Sequence, residues 1–109
     1  MRKAKTVIVT GASRGIGRAT AILFASKGYH VLFNYNQSGI EAYQTCERLK
    51  KKGKAVVAFK ADITKRKQTN LMVERCVKQF GSVDILINNA GVAQQMSQIL
   101  LFIVMSLQI

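Results

Sequence analysis

The sequence has few of the residue types that would point to a metal-binding or disulfide-bonded protein. Its 109 residues contain no proline, no tryptophan, one histidine, two cysteines and five acidic residues. Cys46 and Cys76 are isolated, and because they lack a Cys-x-x-Cys spacing we expect reduced, buried thiols and no metal site. No glycine is followed by Lys and then Ser or Thr, which excludes a Walker-type phosphate loop.

Long hydrophobic runs are also missing. The longest unbroken apolar run covers residues 99–105, far short of the roughly 20 apolar residues that a membrane span requires. Three of the first five residues are basic, but too few apolar residues follow them before Thr10 to form the core of a signal peptide. We therefore expect a cytoplasmic protein with no membrane span.

Negative charge is scarce, and the 17 Lys and Arg residues give a formal net charge of +12. Such a charge favours anionic cofactors, polyanions or membrane surfaces. The cationic cluster at 50–54 lies at a predicted helix C-terminus, which stabilises cations, and no aromatic residues alternate with it to stack bases. We therefore expect this cluster to be a solvent-exposed face and expect no nucleic-acid partner. The alternative is that the protein is a basic module that binds polyanions or nucleic acid. The cluster at 65–67 opposes a helix dipole, and attraction of an anionic cofactor is one explanation.

Glycine, by contrast, is concentrated in the segment Thr10-Gly-Ala-Ser-Arg-Gly-Ile-Gly17, between an apolar run and a helix-like stretch. A backbone that turns from strand to helix with its N–H groups towards a diphosphate needs glycine where a Cβ would block a positive φ or a close approach. The helix start adds unpaired N–H groups and the positive end of its dipole. The segment predicts a nucleotide-phosphate site, and a glycine turn without a ligand is the alternative.

Apolar runs alternate with amphipathic segments along the whole chain. Strands are predicted over 6–9, 31–33, 55–59 and 83–87, and helices over 15–27, from about 39 to 52 and from about 65 to 80. The first helix is apolar nearly all round, the second begins with a Ser38/Glu41 capping box, and Thr64 caps the third. Each helix ends at a glycine: Gly28, Gly53 and Gly81. Such alternation indicates an α/β fold, a βαβαβαβ half of a doubly wound parallel sheet.

Two further motifs follow the glycine segment, Ala61-Asp-Ile-Thr64 and Val83-Asp-Ile-Leu-Ile-Asn-Asn-Ala-Gly91. With all three in this order, the chain resembles the short-chain dehydrogenase/reductase family, and within it the 3-oxoacyl-acyl-carrier-protein reductase type. The likeness covers about residues 5–92, the cofactor-binding first part of a family domain of roughly 250 residues. It implies a partial Rossmann sheet in strand order 3-2-1-4, hydride transfer between a nicotinamide and a carbonyl or alcohol, and homo-oligomeric full-length relatives.

The resemblance also implies a set of cofactor-binding residues. The glycine segment would line the phosphates and the adenosine ribose, Asp62 would accept a hydrogen bond from the adenine amino group, and Ile63 would contact adenine through its backbone N–H. For Asp62, the alternative is a purely structural carboxylate at the start of a helix. Asn88 is expected to join neighbouring strands through side-chain hydrogen bonds and is left out of the site. The complete set is Gly11, Ser13, Arg14, Gly15, Ile16, Gly17, Tyr35, Asn36, Asp62, Ile63, Asn89, Ala90 and Gly91.

The end of the second predicted strand bears on the choice of dinucleotide. An NAD site of this kind places an acidic side chain there, which binds the ribose hydroxyls and repels a 2′-phosphate. This chain has Asn34-Tyr35-Asn36-Gln37, with no carboxylate between Gly28 and Glu41. Arg14 can hold a phosphate by charge-assisted hydrogen bonds, a solvated loop arginine being the alternative. We therefore expect NADP rather than NAD as the cofactor.

The catalytic residues that the family implies are not found in the sequence. Family members need a Ser and a Tyr followed four residues later by a Lys, and none of Tyr29, Tyr35 and Tyr43 has a lysine at that spacing. We expect residues 1–92 to form a dinucleotide-binding segment, truncated before the substrate half, and the apolar residues 93–109 to be a foreign tail. An inactive product of a frameshifted gene is the alternative to a fragment that binds cofactor.

The frameshift hypothesis makes a prediction about the coding DNA. Beyond codon 91, an alternative reading frame should encode a Ser and a Tyr-x-x-x-Lys. Sequencing the locus tests this prediction, and DNA without such a frame would refute the hypothesis.

Overall fold

In the computed structural model of the chain, the described residues are 4–89. Within them, strands and helices alternate in the order β1 (Thr6–Val9), α1 (Gly15–Ser26), β2 (His30–Tyr35), α2 (Gly39–Lys51), β3 (Val56–Lys60), α3 (Arg66–Phe80) and β4 (Ile85–Ile87). This confirms the predicted α/β class and the βαβαβαβ order. Three predicted features, Ala90, Gly91 and the tail at 93–109, lie outside the described residues.

The described strands form one parallel sheet in the order β3-β2-β1-β4, as the family resemblance implies. β1 is central, since Val7 lies opposite Val31 of β2 on one side and Ile85 of β4 on the other. Because all four strands run the same way, their carboxyl ends meet at one edge of the sheet. The loops that follow β1, β2 and β3, together with the end of β4, are therefore neighbours in space.

Apolar side chains pack on both faces of the sheet. Successive residues of a strand point to opposite faces, so Ile8 and Val9 belong to different clusters. One cluster joins the sheet to α3 and includes Ile8, Leu32, Val57, Met72, Val73 and Cys76. The other joins it to α1 and α2 and includes Val7, Val9, Phe33, Ala21, Ala25, Cys46 and Leu49. Both faces are covered, as continuous apolar strands predict.

Helix α1 differs from the prediction of an all-round apolar surface. Ile16 and Leu23 are 78% and 53% exposed. The residues that α1 buries are the small ones, Gly17, Ala21 and Ala25. Small side chains let the helix backbone lie close to the sheet, so the contact face is narrow and the larger apolar side chains remain outside it.

Helices α1 and α2 begin at the predicted Gly15 and Gly39 and the glycine ends are confirmed, but the predicted capping bonds were wrong. Ser38 has a left-handed backbone with φ 62° and makes no capping bond, because a capping side chain requires an extended backbone at that residue. The Thr64 hydroxyl instead donates to Asp62 Oδ1 at 2.6 Å, and the N-cap of α3 is Lys65. The three glycines that follow the helices, Gly28, Gly53 and Gly81, have φ values of 91°, 79° and 92°.

Both cysteines are buried free thiols, as predicted. Burial raises the pKa of Cys46 to about 11 and that of Cys76 to about 12. Since the thiolate is the reactive form, these side chains behave as small apolar groups. Among the helices of residues 4–89, none has the length and apolar character needed to cross a membrane.

Leu32 provides a test of the packed core. Leu32 of β2 is fully buried in the apolar cluster between the sheet and α3, whereas Leu71 of α3 is 56% exposed. Leu32→Ala should lower the free energy of unfolding by about 2–5 kcal/mol, because a cavity remains in the core. Leu71→Ala is the matched control and should change it by less than about 0.5 kcal/mol. Urea unfolding followed by circular dichroism measures both values, and equal losses would contradict this assignment of the core.

Candidate cofactor-binding site

The loop between β1 and α1 depends on three glycines, for two different reasons. Gly11 and Gly15 have φ values of 61° and 63°, in the left-handed region that glycine adopts most readily. A Cβ on Gly17 would lie 2.9 Å from the carbonyl carbon of Gly11 and 2.5 Å from Asn89 Nδ2. Gly11 and Gly15 therefore allow the turn, and Gly17 allows α1 to pack directly against the loop.

Within residues 4–89, no side chain accepts a hydrogen bond from the first backbone N–H groups of α1. The N-cap residue, Arg14, makes no capping hydrogen bond, and the first turn contains no acidic residue. The unpaired N–H groups and the positive end of the helix dipole are thus uncompensated, an arrangement that suits an anion. Ser13 is buried beside this helix end, while Arg14 is exposed.

A cavity of about 370 Å³ lies between this helix end and the end of β2. Its lining residues are Gly11, Ser13, Arg14, Tyr35, Asn36, Gln37, Ser38 and Asn89. Among these lining residues only Arg14 carries a formal charge. The cavity therefore combines a guanidinium group, polar side chains and an open helix N-terminus, with no lining carboxylate to repel a phosphate.

A second cavity, of about 210 Å³, adjoins the first, since Gly11 and Asn36 line both. Its remaining lining residues are Asn34, Ala61, Asp62, Ile63 and Thr64. Asp62 Oδ1 accepts hydrogen bonds from the Thr64 N–H at 3.0 Å and from the Thr64 hydroxyl at 2.6 Å. These two bonds, with the nearby charge of Lys65, hold the pKa of Asp62 below its usual value, so the carboxylate is a hydrogen-bond acceptor at neutral pH.

Asn34 connects three strands at this edge and was not singled out as a structural residue from the sequence. Its side chain is 2% exposed; Nδ2 donates to the Ala61 carbonyl at 3.1 Å, and Oδ1 accepts the Gly11 N–H at 3.4 Å. Its own carbonyl accepts the Ala12 N–H at 2.8 Å. The signal that could have identified this residue is an amide side chain inside an otherwise apolar strand, because a buried amide requires partners.

A second network of hydrogen bonds joins the end of β4 to the glycine loop. The Thr10 hydroxyl donates to Asn88 Oδ1 at 2.9 Å and accepts the Asn89 N–H at 2.9 Å. Asn89 Nδ2 donates to the Gly11 carbonyl at 3.2 Å. The predicted structural role of Asn88 is confirmed. Asn89 holds the loop while also lining the larger cavity.

The structure brings most of the predicted site residues to the two cavities. Those that line a cavity are Gly11, Ser13, Arg14, Tyr35, Asn36, Asp62, Ile63 and Asn89. Gly15, Ile16 and Gly17 form the start of α1, and the Ile16 side chain points outwards at 78% exposure. Gln37 and Ser38 also line the larger cavity, although Ser38 was predicted as a helix cap. No cluster of three His, Cys, Asp or Glu side chains suited to a metal ion occurs in residues 4–89.

Sequence comparison connects this site to known proteins. The family described as short chain dehydrogenase matches residues 5–102. The chain belongs to the short-chain dehydrogenase/reductase family. Members of this oxidoreductase family bind a dinucleotide cofactor. The match extends over the first ten residues of the predicted tail, and the boundary at residue 92 stays a prediction.

Among the relatives is the 3-oxoacyl-(acyl-carrier-protein) reductase FabG of Staphylococcus epidermidis, 44% identical over 90 residues, which are 83% of this chain and 37% of that protein. FabG of Staphylococcus aureus is 42% identical over 94 residues, 86% of this chain and 38% of that protein. The short-chain dehydrogenase/reductase FrzI of a Cladobotryum species is 44% identical over 89 residues, 82% of this chain and 34% of that protein. The chain thus spans little more than a third of the length of these relatives.

Solved structures show the same fold. A mutant short-chain dehydrogenase/reductase of Serratia marcescens superposes with a TM-score of 0.86 at 28% identity, over 94% of this chain and 51% of that one. A hydroxysteroid dehydrogenase of Escherichia coli gives a TM-score of 0.84 at 24% identity, over 93% of this chain and 49% of that one. This second likeness shows the fold alone.

The close packing at Gly17 can be tested by adding one methyl group. Gly17→Ala should destabilise the chain by about 1–3 kcal/mol through overpacking and, by displacing Gly11 and Asn89, should weaken NADPH binding at least tenfold. Gly28→Ala is the control, because Gly28 has φ +91° but no atom within 4 Å of an added Cβ. It should lose stability through backbone strain without losing affinity. Urea unfolding and NADPH fluorescence titration measure the two effects, and an unchanged affinity in Gly17→Ala would contradict the role of the contact.

Proposed function

We propose that this chain forms the NADP-binding part of an oxidoreductase that transfers hydride between the nicotinamide and a carbonyl or alcohol. The observation that carries the proposal is the larger cavity. It places the open N-terminus of α1 and the Arg14 guanidinium together in a lining without a carboxylate. A dinucleotide with an extra phosphate needs this combination of groups, and the family membership supports a nicotinamide cofactor.

The glycine loop would hold the diphosphate. The unpaired N–H groups at the start of α1 would donate to its oxygens, and the helix dipole would stabilise its charge. The Ser13 side chain lines the same cavity and can donate its hydroxyl. Gly17 keeps this helix end against the loop, so the donors are in place before the ligand arrives.

The end of β2 favours NADP over NAD. Asn36, Gln37 and Ser38 line the cavity where an NAD site would carry an acidic side chain. The nearest acidic residue along the chain, Glu41, lies in the first turn of α2 and is not part of the lining. Arg14 would pair with the 2′-phosphate, and the Ser38 hydroxyl, which makes no capping bond, would be available to it.

The second cavity suits the adenine ring. Asp62 offers a carboxylate held ionised by Thr64, which would accept a hydrogen bond from the adenine amino group. Ile63 would donate its backbone N–H to the ring. The side chains of Asn34 and Gln68 hold this segment, since Gln68 Oε1 accepts the Asp62 N–H at 2.7 Å and Asn34 binds the Ala61 carbonyl.

The described residues are suited to binding rather than to the chemical step. Proton transfer at a carbonyl needs a group whose pKa lies near the working pH. Tyr35 is the tyrosine that lines a cavity, and its pKa is raised by burial and by its contact with Tyr43, which is the wrong direction for a proton donor. Catalysis in this family needs a Ser and a Tyr that is followed four residues later by a Lys. We propose that this sequence does not supply that set.

Arg14→Ala tests the choice of NADP. Losing a charge-assisted hydrogen bond worth about 1.5–3 kcal/mol should raise the Kd for NADPH roughly 10- to 100-fold, while the Kd for NADH stays nearly constant. Arg18→Ala removes the same charge one turn further along α1, outside the cavity lining, and should leave both affinities unchanged. Fluorescence titration with each cofactor gives the four values. An unchanged NADPH affinity, or an equal loss for both cofactors, would contradict the assignment of Arg14 to the 2′-phosphate.

A further inference from the structure

Three adjacent cations at the start of α3 have no explanation in the packing of the fold. Lys65, Arg66 and Lys67 are all exposed, and the first turn of α3 contains no acidic residue. Cations at a helix N-terminus oppose the helix dipole. We call these three residues the α3 cluster. Its charges are unfavourable for the helix dipole, and the packing of α3 does not account for them.

The α3 cluster directly follows the lining of the second cavity along the chain. Thr64, which lines that cavity, directly precedes Lys65 in the chain. The Lys65 N–H donates to the Asp62 carbonyl at 3.0 Å, and the Lys65 charge contributes to the low pKa of Asp62. None of the three cluster residues lines either cavity. The α3 cluster is therefore next to the two cavities in the chain but does not line them.

The charges at this edge of the sheet are positive on balance only because of the α3 cluster. Arg14 lines the larger cavity, and Lys60 is exposed at the end of β3. Asp62 and Glu41 belong to the same edge and balance these two cations. The remaining acidic residues, Glu47, Glu74 and Asp84, lie beyond the first turns of α2 and α3 or before β4. The three cations of the α3 cluster therefore supply the excess positive charge beside the site.

We propose that the α3 cluster steers the anionic dinucleotide into the site, accelerating its association without contacting it once bound. This inference rests on the proposed function, because the steered ligand is the cofactor. A cleft surrounded by charge of one sign raises association rates by about 10- to 1,000-fold. NADPH carries a diphosphate and a 2′-phosphate, and the attraction reaches about 10 Å at 0.1 M salt.

A second cation triplet on the same chain provides a matched control. Lys50, Lys51 and Lys52 are also exposed and lie at the end of α2, which starts at the carboxyl edge of the sheet and runs to the opposite edge. The 13 residues of α2 separate this triplet from the carboxyl edge by about 20 Å, at 1.5 Å per residue. Neutralising either triplet changes the net charge equally. The control triplet also loses the exposed ion pair between Lys50 and Glu47 at 3.6 Å, and such a pair contributes little to stability.

The experiment compares the wild-type chain with Lys65→Gln/Arg66→Gln/Lys67→Gln and with Lys50→Gln/Lys51→Gln/Lys52→Gln. Stopped-flow fluorescence with NADPH gives the association and dissociation rates at low and high salt. We expect the α3-cluster variant to associate about three- to tenfold more slowly at low salt, with its dissociation rate unchanged and the difference lost at high salt. The control triplet should retain most of the wild-type rate. The α3-cluster variant should also melt no lower than the wild type, because it removes charges that oppose the helix dipole.

Several outcomes would overturn the inference. Equal slowing in both variants would assign the effect to net charge, and faster dissociation in the α3-cluster variant would indicate direct contact with bound cofactor. An oligonucleotide that binds more tightly than NADPH, and loses affinity in the α3-cluster variant, would indicate a polyanion site instead. Binding of neither NADPH nor NADH by the wild-type chain would overturn the proposed function itself, whereas normal NADPH binding with an unchanged rate in the α3-cluster variant would overturn the steering alone.

Discussion

The close approach of α1 to the loop after β1 is the constraint on which the site depends. Gly17 has room for a hydrogen atom but not for a methyl group between the Gly11 carbonyl and Asn89 Nδ2. That contact aligns the helix with the loop and brings the end of β4 against both, because Asn89 also bonds to Gly11. The position of the open helix end and the lining of the larger cavity both depend on this packing.

Buried amide and hydroxyl groups hold the carboxyl edge of the sheet together. Asn34 binds the glycine loop and the end of β3, while Thr10 binds the end of β4. These bonds satisfy backbone groups that the ladder leaves unpaired where the strands end. The edge is therefore rigid before any ligand is present, whereas positive charge is distributed around it on exposed side chains.

The fold could be predicted from the sequence because apolar runs and helix-ending glycines are local signals. The apolar runs located all four described strands, and a glycine follows each of the three described helices. The predicted capping bonds of α2 and α3 were wrong because they depend on the backbone conformation and tertiary context: Thr64 bonds to Asp62 rather than to α3. Most of the site followed from the glycine segment and the family motifs. The role of Asn34 did not, since its partners Gly11 and Ala61 are 23 and 27 residues away along the chain.

Asn34 and the residues after Tyr35 have different roles, and this difference affects which positions of the site can change by mutation. The side chain of Asn34 is committed to joining three strands, but those of Asn36, Gln37 and Ser38 line the cavity without a hydrogen bond that ties the fold together. Residues 36–38 can thus be exchanged by mutation while the architecture beneath them persists. Under the proposed function, the side chains that would distinguish a phosphorylated from an unphosphorylated ribose are therefore different from those that hold the strands together.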